Sequence, residues 1–112
     1  MKHLPPTLRE DNRYIRYKIH SETAHEFPEV VDSIWDAVLG YLGEKQASKA
    51  NPWIIKNLFD EQKQQGAIRI NRETETDVRA ALIFIDEIVG EEAFVTVEQV
   101  AGTVKSLEGL EE

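Results

Sequence analysis

Cysteine is missing from the 112-residue chain, so disulfides and thiolate metal sites are excluded and nothing argues for an oxidising compartment. Long apolar runs are missing too. The longest, "ALIFI", is far short of the ~20 residues that span a bilayer, and residues 1–20 lack the apolar stretch of an export signal. A cytoplasmic protein with no membrane attachment is expected. There is no phosphate-binding glycine loop, no G-x-S-x-G elbow and no Cys/His pair, which removes the common routes to nucleotide hydrolysis and nucleophilic catalysis. Positive charge is scarce as well: 13 Lys and Arg stand against 21 Asp and Glu, a net charge of −8. Such acidity argues against a generic nucleic-acid binder, although net charge governs solubility and steering rather than what one face can bind.

The chain does have hydrophobic residues at 41 %, among them two Trp, three Tyr and four Phe, enough to fill one core. A single domain over residues 1–112 is the expectation. Its few cations are unevenly placed. Residues 1–20, with "LPPTLREDNRYIRYKIH", hold five Lys/Arg against two Asp/Glu, or +3, so the other 92 residues carry eight against nineteen, or −11.

Pro5-Pro6 bars an early helix and implies an extended arm over residues 1–12. From Arg13 to His20, Ile15, Tyr17 and Ile19 alternate with Tyr14, Arg16 and Lys18, the period of a half-buried strand. Pro28 suits a first helical turn, and Val31, Ile34, Trp35, Val38 and Leu42 follow at helical spacing, ending at Gly43. "EKQASKAN" reads as a polar connection, "PWIIKNLFD" as a strand, "EQKQQG" as a hairpin loop and "GAIRIN" as the return strand. Val78, Ala81, Leu82, Ile85, Ile88 and Val89 mark a second helix from about Thr74 to Val89, opened by Thr74-x-x-Asp77 and stopped by Gly90. "AFVTVEQV" is a fourth strand. "AGTVKSLEGLEE" follows as a short helical turn and a frayed acidic end at 108–112.

The order βαββαβ is that of a ferredoxin-like or RRM-like α+β sandwich, with two helices on one face of an antiparallel sheet. If Ile15, Tyr17, Ile19, Trp53, Ile55, Ile68, Ile70, Val95 and Val97 face the helices, the open face carries Tyr14, Arg16, Lys18, Lys56, Arg69, Phe94 and Glu98. A one-residue slip in register would overturn that sorting. Ile54, Leu58 and Phe94 would leave an apolar patch on it. Cations and rings on a sheet suit RNA, phosphates taking the charge and unstacked bases the rings; a solvated or partner-covered face fits the same residues. Strand three, "GAIRIN", lacks the aromatics of the standard RNA-recognition signature. His3, His20 and His25 have no metal-site spacing, and the pairs Glu10-Asp11, Asp60-Glu61, Asp86-Glu87 and Glu91-Glu92 read as solvated charge rather than catalytic or Mg²⁺-binding carboxylates.

"LPPTLREDNRYIRYKI", "PWIIK", "GAIRINR" with the following "DVRAALIFIDEI", and the late "VAGTVKSL" together resemble, in order and spacing, archaeal ribonuclease P protein component 2, counterpart of the small eukaryotic Pop-five subunit. The resemblance covers about residues 4–107. It implies a subunit of the ribonucleoprotein that removes the 5′ leader of precursor tRNA, in which the RNA, with Mg²⁺, does the hydrolysis. The chain would then be no catalyst and bind no cofactor of its own. It would have an RRM-type sandwich fold, with ribonuclease P RNA, other ribonuclease P proteins and, above all, the barrel-shaped protein component 3, in a two-plus-two assembly, as partners. By position, the resemblance carries RNA contact over to Arg9, Arg13, Arg16, Lys18, Lys56, Arg69, Arg72 and Lys105. Relatives often continue into a basic tail, whereas this chain ends "SLEGLEE". The competing reading is a protein-interaction module whose exposed sheet face is buried by a protein partner.

Overall fold

The computed structural model describes residues 11–107. Of the arm expected over 1–12 only Asp11 and Asn12 are among them, and Asn12 already opens a strand; Arg9, His3 and the acidic end at 108–112 lie outside the described residues. The elements are β1 (Asn12–Ser21), α1 (Phe27–Ala50), β2 (Trp53–Ile54), β3 (Gln65–Asn71), α2 (Glu75–Ile83), β4 (Glu87–Ile88) and β5 (Glu91–Ala101), with single 3₁₀ turns at Lys56–Leu58, Arg72–Thr74 and Val104–Ser106. The strands form one antiparallel sheet in the order β2-β3-β1-β5-β4. Apart from the two-residue β4 at one edge, this is the expected βαββαβ sandwich.

β1 is the central strand because its alternation lets both neighbours share one buried face. Ile15, Tyr17 and Ile19 are buried under the helices with Ile68, Ile70 and Val95, facing Val30, Ile34 and Val38 of α1 and Val78 and Leu82 of α2. Each large aliphatic side chain so placed contributes about 1.5–3 kcal/mol of burial. In β5 the pairing shifts from Tyr17↔Val97 to Arg16↔Gln99, leaving Glu98 as the extra residue of a bulge. The bulge resets the parity, so Val100 turns to the core while Ala101 joins the opposite face.

Three expected elements are corrected. α1 does not end at Gly43. That residue breaks the helix with φ 82° and ψ 166°, and the chain then resumes helical geometry through "EKQASKA" to Ala50. The buried side chains of that second piece are Ala47 and Ala50, too small to register as an amphipathic stripe. The expected strand "PWIIKNLFD" shrinks to Trp53–Ile54, paired with Arg69 and Ile68, before the chain winds into the 3₁₀ turn. The expected helix to Val89 stops at Ile83. Ile85 and Ile88 are buried as the spacing requires, but from a loop and from β4. Val89 (φ 52°) and Gly90 (φ 79°) turn the β4–β5 hairpin, two positive φ values in a row being the geometry that matches strand twist. The 3₁₀ turn that leads into α2 is capped by Asn71, whose Oδ1 accepts from the Glu73 N–H at 2.8 Å. The Thr74 hydroxyl donates to Asn71 O instead of capping the helix.

Candidate nucleic-acid interface

The face of the sheet away from the helices is laid out in cross-strand rows. Strand register places Ala101, Tyr14, Arg69 and Trp53 side by side across β5, β1, β3 and β2; Gln99, Arg16 and Ala67 form the next row, then Thr96, Lys18 and Gln65, then Phe94 and His20. Opposed side chains in such rows lie about 4.5–5.5 Å apart at Cβ and interact directly. The Arg69 guanidinium lies over the Trp53 ring, Cζ 4.6 Å from its centroid, a cation–π contact worth about 0.5–1 kcal/mol at an exposed site. At the far end of the face, His20 stacks on Phe94 at 4.5 Å, its Nε2 2.9 Å from Thr96 Oγ1.

Part of this face is covered. Leu58 of the first 3₁₀ turn and Leu107, just after the last one, are buried on Ala67, with Tyr14, Ile55, Ala101 and Val104 packed around them. The last turn is pinned by Gln99 Nε2, which donates to Ser106 O at 2.7 Å, and by Thr103 Oγ1, which accepts from the Ser106 N–H. Beside this small second core a groove of ≈ 290 Å³ stays open, lined by Tyr14, Trp53, Ile55, Asn57, Leu58, Arg69 and Val104.

The structure thus brings Arg16, Lys18 and Arg69 together on one face. Lys18 Nζ also donates to Lys63 O at 3.0 Å. Lys56 and Lys105 are exposed and belong to the two turns that lie on the same face. Two candidates do not join them. Arg13 shares the parity of Ile15, and its Nη1 donates to Asn12 O at 3.1 Å. Arg72 sits past the end of β3, paired with Asp11 Oδ2 at 3.0 Å, an exposed ion pair worth little to stability.

The face also differs from expectation in its apolar residues. Ile54, expected on it, is buried toward the helices, and Leu58 is buried in the second core, while Trp53, expected inside, is 58 % exposed on it. Phe94 is exposed there as expected. Trp53 is the exposed ring of this face most easily missed, because "PWII" offers two neighbouring apolar pairs and only the pairing of Ile54 with Ile68 selects between them.

The described histidines have structural partners. His25 is 2 % exposed, its Nδ1 3.3 Å from Glu29 Oε1 and its Nε2 3.3 Å from Ser21 Oγ. Its backbone is clamped by the Gln64 amide, which accepts from His25 N–H and donates to His25 O. Among the described residues, no group of three or more His, Asp and Glu is placed to hold a metal ion.

Comparison with known proteins follows the same outline. The family model described as Rpp14/Pop5 family matches residues 13–109. The chain is 44 % identical to ribonuclease P protein component 2 of Pyrococcus furiosus, covering 95 % of this chain and 87 % of that protein. It is 39 % identical to the protein of the same name from Methanocaldococcus jannaschii, over 94 % of this chain and 75 % of the other. Among solved structures, a chain in the cryo-EM structure of yeast ribonuclease MRP has the same fold, with a TM-score of 0.69 at 16 % identity over 88 % of this chain and 79 % of that one.

Proposed function

This chain belongs to the Rpp14/Pop5 family, and from that premise we propose that it is a non-catalytic protein subunit of ribonuclease P, the ribonucleoprotein that removes the 5′ leader of precursor tRNA. The observation that carries this reading is that the family match runs through all five strands, and so through the register that assembles the cationic face. Arg16, Lys18 and Arg69, with Lys56 and Lys105 beside them, are the contacts for RNA phosphates, which position a protein on RNA without reading its sequence. Hydrolysis belongs to the RNA and its Mg²⁺. On the protein side both described histidines are engaged in the fold, and the described carboxylates do not converge on a metal site.

Protein component 3 is the protein partner in this reading, in a two-plus-two assembly in the cytoplasm. The helix side of the molecule favours a protein contact there. Tyr41 and Phe84 stack on each other at 5.2 Å and remain 49 % and 66 % exposed, with Ile83 and Val89 also exposed. That patch takes the place of the one expected on the sheet, and patches of this kind are commonly covered by a partner. The alternative, a protein-interaction module whose exposed sheet face is buried by a protein partner, predicts a protein and no RNA on the sheet.

Reconstitution tests the proposal. The purified, RNA-free chain is expected to leave precursor tRNA uncut. Adding cognate RNA and component 3 in Mg²⁺ is expected to produce 5′ cleavage that fails when this chain is omitted. Cleavage by the chain alone, or equal cleavage without it, would refute the reading.

A further inference from the structure

We propose that Trp53 and Arg69 form a platform on which one unpaired RNA base stacks, with Tyr14 and Asn57 completing the slot; this rests on the RNA-binding reading above. The standard aromatic positions of an RNA-binding sheet are empty of rings in β3, where Ala67, Ile68 and Arg69 stand. The rings are supplied instead by the flanking strands, in register with Arg69: Tyr14 on β1 and Trp53 on β2. A base can stack on an aromatic ring or on a guanidinium plane; here the Arg69 guanidinium lies over the Trp53 ring, so the base takes the outer side of that stacked pair.

Three features favour an unpaired base over other occupants. The groove is open and bordered by apolar Ile55, Leu58 and Val104, so a flat aromatic group gains burial there. The charges nearest the groove are cationic, Arg69 lining it and Arg16 in the next row, whereas Glu98 is held by the Thr96 hydroxyl farther along and Glu91 and Glu92 lie at the far end; this suits the phosphates on either side of a splayed base and disfavours a cationic peptide. Asn57 lines the groove with an amide that both donates and accepts, as the edge of a base requires. A paired base presents no free ring face, so the slot selects single-stranded or bulged RNA over duplex.

The test compares binding of a labelled single-stranded RNA of about ten nucleotides, within the span that sheet-based binders cover, with a blunt RNA hairpin of equal phosphate number. Trp53→Ala is expected to weaken single-strand binding roughly 5- to 150-fold, the range for one base–ring stack, and to leave hairpin binding and the salt dependence unchanged. Trp53→Phe is expected to keep most of the affinity. Single-strand binding should quench tryptophan emission in the parent but not in Trp53→Phe, where Trp35 alone remains. Because Trp53 is exposed, both variants are expected to melt close to the parent. Equal losses on single strand and hairpin, no loss on either, or quenching that persists in Trp53→Phe would overturn the slot while leaving phosphate binding intact. If the parent binds neither RNA, the slot and the RNA-binding reading fall together. Displacement of the RNA from this groove by component 3 would assign the face to protein and also overturn it.

Discussion

At the scale of single residues the tightest constraint is a pair across β1 and β3. Tyr17 is fully buried and lies opposite Gly66. A β-carbon on Gly66 would sit 2.5 Å from Tyr17 Oη and 2.8 Å from Cζ. The tyrosine ring therefore occupies the space a side chain would need. Gly66→Ala is expected to cost about 1–3 kcal/mol as overpacking. In a Tyr17→Phe background the cost should be smaller, because the nearest atom is gone; a double-mutant cycle by urea unfolding measures the difference, and strict additivity would show that the ring is not the cause. The Tyr17 hydroxyl has no hydrogen-bond partner among the described residues, and burial pushes its phenol well above the ordinary tyrosine value. A pKa raised on folding leaves stability complete below the unfolded value near ~10 and removes it as pH rises toward the folded one. Thermal melts from about pH 9 to 11, spanning that unfolded value, should therefore show a loss in the parent that Tyr17→Phe reduces, with no penalty for Tyr17→Phe at neutral pH.

Among the elements, α1 depends on a glycine inside it. Gly43 holds φ 82° and ψ 166°, and nothing lies within 4 Å of the place a β-carbon would take, so any cost of a side chain there is conformational. Glycine to alanine in an ordinary helix stabilises by about 1 kcal/mol. Here Gly43→Ala is expected to do the reverse, costing about 1–3 kcal/mol, because this backbone region is nearly restricted to glycine. The sign of the change in denaturation midpoint decides between a kinked helix that the fold requires and a continuous one. The kink matters for position: the second piece of α1 brings Ala47 and Ala50 against the core and delivers Asn51, in a left-handed conformation, and Pro52 to the start of β2. Trp53 reaches the sheet face only because that turn is made there.

On the scale of the whole molecule, charge is segregated along the sheet. Arg16, Lys18 and Arg69 share the face that starts at Tyr14 and Trp53, whereas Glu22, Glu91 and Glu92 border the opposite end beside His20 and Phe94. Glu29, Asp32, Asp36 and Glu44 belong to α1, and Glu75 and Asp77 to α2, so these six carboxylates sit on the helical layer. A chain of net charge −8 can in this way present a cationic surface. Replacing Arg16, Lys18, Lys56 and Arg69 together by alanine is expected to lower the magnitude of the slope of log K against log salt by about 3–4, near one for each phosphate no longer neutralised. Ile15→Ala should instead cost about 2–5 kcal/mol of stability and leave that slope alone. Paired melting and filter-binding series separate the two classes; an unchanged slope in the quadruple variant would remove the sheet from the RNA contact.

The residues by themselves determined the buried and open faces of β1 and β3, because alternation of the Ile15, Tyr17, Ile19 kind permits a single register, and they determined the start of α1, where large apolar side chains recur at helical spacing. The ordered segments from "RYIRYKI" to "VAGTVKSL" were also enough to indicate the family. Tertiary structure alone decided the rest. Ala47 and Ala50 carry too little apolar surface to announce a helix, and Ile85 and Ile88 satisfy a helical spacing while reaching the core from a loop and a short strand. Trp53 and Ile54 compete as equals until β3 offers Ile68 as a partner. Leu58 and Leu107 leave the solvent only when two turns distant in the chain meet on Ala67. A local pattern records which side chains must be buried; which neighbour buries them is settled by long-range pairing, and that pairing is what sets Tyr14, Arg69 and Trp53 in one row.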